Sequence, residues 1–250
     1  MVNDNRQKKI MELIMKKGNL SVQDLADEFQ VSDMTIRREL QKLDQNKMFE
    51  RYHGGVRYVK EVSPEQRETE YTDEKKQIAN YCLSLISSRD TIFLDSGTTA
   101  HYIAKGLADS LLENVTVITH SLTTAYSLRN ANNVYLFMAG GEFRQNSQGF
   151  FGSNTKSFLE NLYVNKAFIG TSGIIERGYS VFQFADAEIK QTMIDSSEET
   201  YIIGDSSKFG KRSMNLFAPL ENVDMIVTDN NLSDYWVSFI ENKEVNLTRV

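Results

Sequence analysis

From Glu74 onward, short apolar runs recur between segments of helical spacing, and this alternation restricts the fold more than any other feature. The runs are Thr91-Ile92-Phe93-Leu94-Asp95, 115–119, 134–139, 166–170, 200–204, 225–228 and 245–247. Helices are predicted at 74–88, 98–110, 121–130, 154–163 and 185–198. A strand that is apolar at consecutive positions must be covered on both faces. Strands separated by helices can run parallel, so residues 74–250 read as a mainly parallel α/β domain. No repeat of 20–50 residues interrupts it.

Before Glu74 the pattern differs. Ile10, Leu13 and Ile14 share one helical face that Gly18 ends. Ser21 can cap a second helix through Phe29, with Val22, Leu25, Ala26 and Phe29 at spacings of three and four. Ser32 can cap a third from about Asp33 to Asn46, with Ile36, Leu40 and Leu43 as its apolar stripe. Two capped helices joined by so short a turn form a helix-turn-helix. The segment 48–58, with Gly54-Gly55 inside it, reads as a β-hairpin, the wing of a winged helix-turn-helix. The expected division is a DNA-binding domain at 1–58, a polar linker at 59–73 and an α/β sensor domain at 74–250.

Charge supports that division. The chain of 250 residues has a net charge of −6. Residues 1–60 hold 12 Lys/Arg against 9 Asp/Glu, a net of +3. An acidic chain with a basic amino-terminal end fits nucleic-acid binding by one module. One cysteine, Cys82, cannot build a disulfide framework, and three scattered histidines make no zinc pattern. Cys82 falls on an apolar helix face with Ile78, Ala79 and Leu85 and reads as core. No apolar run reaches the roughly 18 residues of a membrane span. The expectation is a cytoplasmic protein without metal or cofactor.

On the third helix the buried stripe leaves Met34, Arg38 and Gln41 facing outward, with Thr35 and Arg37 on the flanks. The start of such a helix enters the major groove. There an Arg fork can read guanine while its neighbour holds a phosphate, and Ser32 and Thr35 can donate to phosphates. Arg51, His53 and Arg57 add donors on the wing. The bland alternatives are that Arg37 and Arg38 pair with Asp33 and Glu39, and that His53 packs against the first helix.

In the second domain, five loops follow strands at comparable positions: Asp95-Ser96-Gly97-Thr98-Thr99, Thr119-His120-Ser121, Gly140 to Arg144, Gly170 to Gly173 and Asp205 to Gly210. Ligands of open parallel sheets sit outside the carboxyl ends of the strands. The first loop offers N–H groups and hydroxyls for an anion. Arg144 and Lys208 supply cations, and Asp95 and Asp205 supply acceptors for sugar hydroxyls. That chemistry matches a phosphorylated sugar. Against it, Asp95 could merely cap a helix, Arg144 could pair with Glu142, and Lys190 could pair with Asp186 four residues away.

The run from Val31 to Leu40 (VSDMTIRREL), followed by Arg51-Tyr52-His53-Gly54-Gly55, resembles the signature of DeoR-type bacterial transcription regulators. That family usually has aspartate where Glu39 stands and Gly-x-Leu where this chain has Lys47-Met48-Phe49. The resemblance extends through the second domain. It implies a sensor related to the sugar-phosphate isomerase and CoA-transferase fold. Asp95, Gly97, Thr98, Thr99, Gly140, Gly141, Arg144, Lys190 and Lys208 match the family pattern. His120 replaces a usual Asn, and Asp186 a usual Glu. The resemblance is somewhat greater to repressors of lactose or galactose phosphotransferase operons. It implies a repressor that binds operator DNA, responds to a sugar phosphate and is not an enzyme. A homo-oligomer, dimer or tetramer, is expected because one small winged module rarely gives useful specificity alone. The alternatives are an isomerase- or deaminase-like enzyme with a DNA-binding head, and an activating or ligand-independent regulator.

Overall fold

The computed structural model describes residues 2–17, 19–43, 49–52, 54–58 and 63–250. The chain divides into two compact units, 1–62 and 63–250.

In the first unit, α1 (Val2–Lys17) is followed by β1 (Asn19–Ser21), α2 (Val22–Phe29) and α3 (Asp33–Leu43). The hairpin strands are β2 (Phe49–Tyr52) and β3 (Gly55–Tyr58). The Ser21 hydroxyl accepts the Asp24 N–H at 2.9 Å, and the Ser21 N–H donates to the Asp24 carboxylate at 3.0 Å. This reciprocal box satisfies two donors that the start of a helix leaves open. The Ser32 hydroxyl accepts the Thr35 N–H at 3.3 Å and starts α3 in the same way. Ile10, Ile14, Leu25, Ile36, Leu40 and Val56 close one apolar core. The wing is broader than the hairpin expected from sequence, because β1 pairs with β3 and makes a three-stranded sheet.

The second unit begins at Ser63, so most of the segment expected to be linker is part of it. Its first helix is α4 (Pro64–Thr69), which the Ser63 hydroxyl caps by accepting the Gln66 N–H. There follow α5 (Thr72–Leu85), β4 (Thr91–Leu94), α6 (Thr98–Ala108), β5 (Val115–Thr119), α7 (Leu122–Leu128) and β6 (Val134–Met138). A hairpin of β7 (Glu142–Arg144) and β8 (Gly149–Phe151) precedes α8 (Ser153–Glu160) and β9 (Val164–Gly170). Then come β10 (Gly173–Ile175), β11 (Gly178–Val181), α9 (Phe184–Asp195), β12 (Ser197–Ile203) and β13 (Asn215–Ala218). The last elements are β14 (Met225–Thr228), α10 (Asp234–Glu241) and β15 (Asn246–Arg249).

Seven strands form a parallel sheet in the order β15-β14-β12-β9-β4-β5-β6. Successive side chains alternate between its faces. Ile92 and Leu94 join a core that holds Ile78, Cys82 and Ile103 of α5 and α6. Phe93 joins the opposite core, with Leu159, Met193 and Ile240 of α8, α9 and α10. Cys82 is buried, and the apolar surroundings push its thiol pKa up. The chain runs outward from β4 to β6, then returns to β9 on the other side of β4 and proceeds to β15. The order therefore reverses between β4 and β9, which opens a crevice at their carboxyl ends.

A small antiparallel sheet, β10-β11-β13, is separate from the large one in hydrogen bonding but shares its core through Ile174, Tyr179, Val181 and Phe217. Its tight turn requires Gly178, whose φ is 134° and where a Cβ would lie 2.0 Å from the Ala218 carbonyl oxygen.

Candidate functional site

On α3, Ile36, Glu39 and Leu40 are buried, which leaves Ser32, Met34, Arg37, Arg38 and Gln41 exposed and Thr35 half-buried. Glu39 is not available to the neighbouring arginines. Arg6 Nε of α1 donates to both of its oxygens, at 2.8 and 3.0 Å. Among the described residues, neither Arg37 nor Arg38 makes an ion pair. Two adjacent guanidinium groups thus project from the outer face near the start of this helix. Arg51 and Arg57 belong to β2 and β3. Their side chains, and all of His53, lie outside the described residues.

At the reversal point of the large sheet, the crevice is built on Asp95, the residue after β4. Its side chain is fully buried. One oxygen, Oδ2, accepts the Gly170 N–H at 2.8 Å, which ties the β4 loop to the end of β9. The same oxygen accepts from the Lys190 ammonium. Lys190 rises from α9 and also pairs with Asp186 at 3.4 Å. The i,i+4 pair with Asp186 therefore exists but is half of the arrangement. Burial works against the Lys190 charge, yet Asp186 and Asp95 overcome it and hold its pKa above the ordinary lysine value. Asp95 does not cap α6; the residue at that cap is Gly97, and no side chain bonds to it there.

His120, after β5, is also buried. Its Nε2 is 3.7 Å from Asp95 Oδ1, and its ring meets Phe151 edge-on at a centroid distance of 5.3 Å. Neither ring nitrogen has a hydrogen-bond partner, and neither has Asp95 Oδ1. Burial pulls the His120 pKa down to about 4; Asp95 opposes that shift and Lys190 adds to it. The imidazole is neutral at pH 7. It presents one donor and one acceptor beside an open carboxylate oxygen, a pairing suited to a ligand hydroxyl.

The hairpin closes one side of this cluster. The Phe150 N–H donates to the His120 carbonyl at 2.8 Å. A Cβ on Gly149 would lie 3.2 Å from both His120 and Ser96. The Arg144 guanidinium sits 5.3 Å from the centre of the Phe151 ring, which joins it to His120 through one aromatic side chain. The pair with Glu142 is absent among the described residues. Ser121 is turned to structure, its hydroxyl accepting the Thr124 N–H at 3.2 Å to cap α7.

Other expected residues lie further out. A Cβ on Gly141 would collide with the Thr155 hydroxyl of α8 and, at 2.5 Å, with the Phe151 carbonyl oxygen of β8, and the Gly140 carbonyl accepts the Thr155 hydroxyl at 2.9 Å. Asp205 and Lys208 pair at 3.4 Å after β12, the strand beside β9. Gly204 links that loop to the crevice, since a Cβ there would touch both Lys208 and Thr171.

Asp95, His120 and Asp186 have ligand atoms within 4.8 Å of one another, a spacing that could hold a metal ion. The donors do not favour one. A divalent cation among them would press against the Lys190 ammonium, which already pairs with both carboxylates.

Residues 6–62 match the DeoR-like helix-turn-helix domain, and residues 70–230 match the DeoR C terminal sensor domain. The chain belongs to the DeoR family. The uncharacterized HTH-type transcriptional regulator YulB of Bacillus subtilis is 36% identical over 100% of this chain and 98% of its own. The lactose phosphotransferase system repressor of Staphylococcus epidermidis is 31% identical over 91% of this chain and 92% of its own. A solved structure of ribose 5-phosphate isomerase A from Methanocaldococcus jannaschii overlaps 55% of this chain and 54% of its own, at 17% identity and a TM-score of 0.40.

The DeoR sensor match begins after Arg67, yet Arg67 contacts the loop of the β7–β8 hairpin. Its guanidinium donates to the Asn146 carbonyl in the loop between β7 and β8. A small cleft lies there, lined by Arg67, Glu68, Gly97, Thr98, His101 and Asn146. Lys75, buried on α5, donates to the carbonyls of Arg67 and Glu70 and so fixes α4. Sequence reading assigned neither residue. A lysine at a position facing a core was the available signal, because a buried ammonium needs partners.

Proposed function

We propose that this protein represses a sugar-utilisation operon and releases its operator when a phosphorylated sugar binds in the second unit. One observation supports the sensor half of this reading most directly. At the reversal point of a parallel sheet, a buried Asp95–Lys190 pair carries an open carboxylate oxygen beside a neutral His120 whose ring nitrogens are unpartnered. Ligand hydroxyls satisfy such atoms, and leaving them open costs stability. The DeoR helix-turn-helix, with Arg37 and Arg38 projecting, supports the operator half. The lactose phosphotransferase system repressor among its relatives supports a sugar operon.

In this reading the phosphate lies against the Ser96-Gly97-Thr98-Thr99 loop, with Arg144 and Lys208 as cations. The sugar hydroxyls meet Asp95 and His120, and Gly170 and Asp205 line the adjoining loops. The protein acts in the cytoplasm as a homo-oligomer, because one small winged module gives little specificity alone. No helix among the described residues is long and apolar enough to cross a membrane.

Melting temperature across a panel of sugar phosphates, with free sugars and inorganic phosphate as controls, tests the sensor. A ligand at 100 times its Kd adds about 2.7 kcal/mol of stability. A shift from one phosphorylated sugar supports the reading, and silence across the panel sinks it. The same sugar phosphate should be recovered unchanged after incubation; turnover would mean the enzyme reading is correct.

A further inference from the structure

The two ends of the large sheet are treated differently. At one end β15 is guarded by charge: Lys243 and Glu244 precede it and Arg249 lies within it. Charged residues on an edge strand are a common protection against pairing with another chain. At the other end, β6 has none. From Asn130 to Gly141 no residue carries a charge, and none is proline. Among the described residues β6 pairs only with β5. Tyr135 and Phe137 are 60% and 52% exposed on this edge.

The backbone of β6 also points the right groups outward. The Ala139 N–H donates inward to the Thr119 carbonyl at 2.8 Å. Alternation along a strand therefore turns the N–H and C=O groups of Val134, Leu136 and Met138 away from β5. These residues are spaced evenly about Leu136.

We propose that β6 is the seam at which a second copy of this chain joins, strand against strand and antiparallel, about a two-fold axis at Leu136. In that register Leu136 faces its own copy, and Val134 faces the partner's Met138. Every outward-pointing residue then meets another, and about six ladder hydrogen bonds form. Tyr135 stands opposite the partner's Phe137 in a pair without hydrogen bonds, where side chains approach most closely. Shifting the register by one residue would set outward groups against inward ones. The absence of charge matters because pairing desolvates the strand, and a lone charge on it would face an uncharged partner residue with nothing to compensate it. The result is one continuous sheet through two subunits. This names the surface of the homo-oligomer that the repressor reading requires, but the mass of the protein without DNA or effector decides it.

Sedimentation equilibrium at micromolar concentration provides that mass. The wild-type protein should be at least a dimer. Phe137→Lys should halve the mass, because it sets an ammonium against the partner's Tyr135 ring edge in a desolvated strand pair. The double variant Tyr135→Glu/Phe137→Lys should restore it, since each new carboxylate then stands opposite a new ammonium. Arg249→Glu, on the guarded edge, should leave the mass unchanged. A wild-type monomer, a Phe137→Lys variant of wild-type mass, or a double variant that stays dissociated would each overturn the proposal. Circular dichroism of each variant separates dissociation from unfolding. Failure of operator binding by a protein of the expected mass would instead count against the repressor reading alone.

Discussion

Replacing Lys190 with methionine would leave the carboxylates of Asp95 and Asp186 within 4.8 Å of each other without the ammonium between them. Removing one partner from a buried ion pair costs about 3–5 kcal/mol, more than the pair itself contributes. Lys190→Met should lower stability by that amount in denaturant unfolding, and adding Asp95→Asn should recover part of it. A single variant within 1 kcal/mol of wild type would mean the pair is not closed in solution. His120 gives a second handle. Its folded pKa of about 4 lies below its ordinary value of 6.5. Between these values the unfolded chain binds more protons, so stability rises with pH and is lost as pH falls from 6.5 toward 4. The difference corresponds to on the order of 3 kcal/mol. His120→Asn should flatten the dependence of melting temperature on pH across that window. An equally steep curve in the variant would assign the effect to other groups.

At the scale of elements, the proposed reading gives operator binding to α3 and effector binding to the loops of the large sheet. Arg38→Ala should abolish operator binding and leave the effector-induced melting shift intact. Lys208→Ala should do the opposite, and loss of operator affinity in that variant would show that the division is wrong. The seven parallel strands were legible because continuous apolar runs such as Phe93-Leu94 require two covered faces. The helix-turn-helix was legible because Ser21 and Ser32 cap it and its apolar spacing is regular. The β7–β8 hairpin, the β10-β11-β13 sheet and α10 were not read. Gly173-Ile174-Ile175 and Gly178 to Val181 are too short to show a period, and they follow β9 as a loop would. For α10 the signal existed in Ser233-Asp234 ahead of Trp236 and Ile240, four residues apart. In the crevice, the loop residues could be read from their position after strands. The bond from Lys190 to Asp95 spans 95 residues of chain, and spacing shows only the local partner, Asp186.

For the whole molecule, the repressor reading makes a demand that neither unit can meet alone. If a sugar phosphate weakens operator binding by some factor, saturating operator DNA must weaken sugar-phosphate binding by the same factor, because the two affinities share one thermodynamic cycle. Typical coupling of 1–3 kcal/mol corresponds to roughly 5–150-fold. The first helices of the second unit bear on this. Arg67 and Lys75 hold α4 against the hairpin loop and α5, so the second unit begins beside the cleft at Gly97 and Thr98. A ligand that fills this cleft contacts α4 directly. Calorimetric titration of the effector, with and without saturating operator DNA, measures one factor; operator titration with and without effector measures the other. Equal factors would support two states of one molecule, each preferred by one ligand. An effector affinity unchanged by DNA, in a protein whose operator is released by that effector at equilibrium, would break the cycle. The release would then have to come from something other than binding in the crevice.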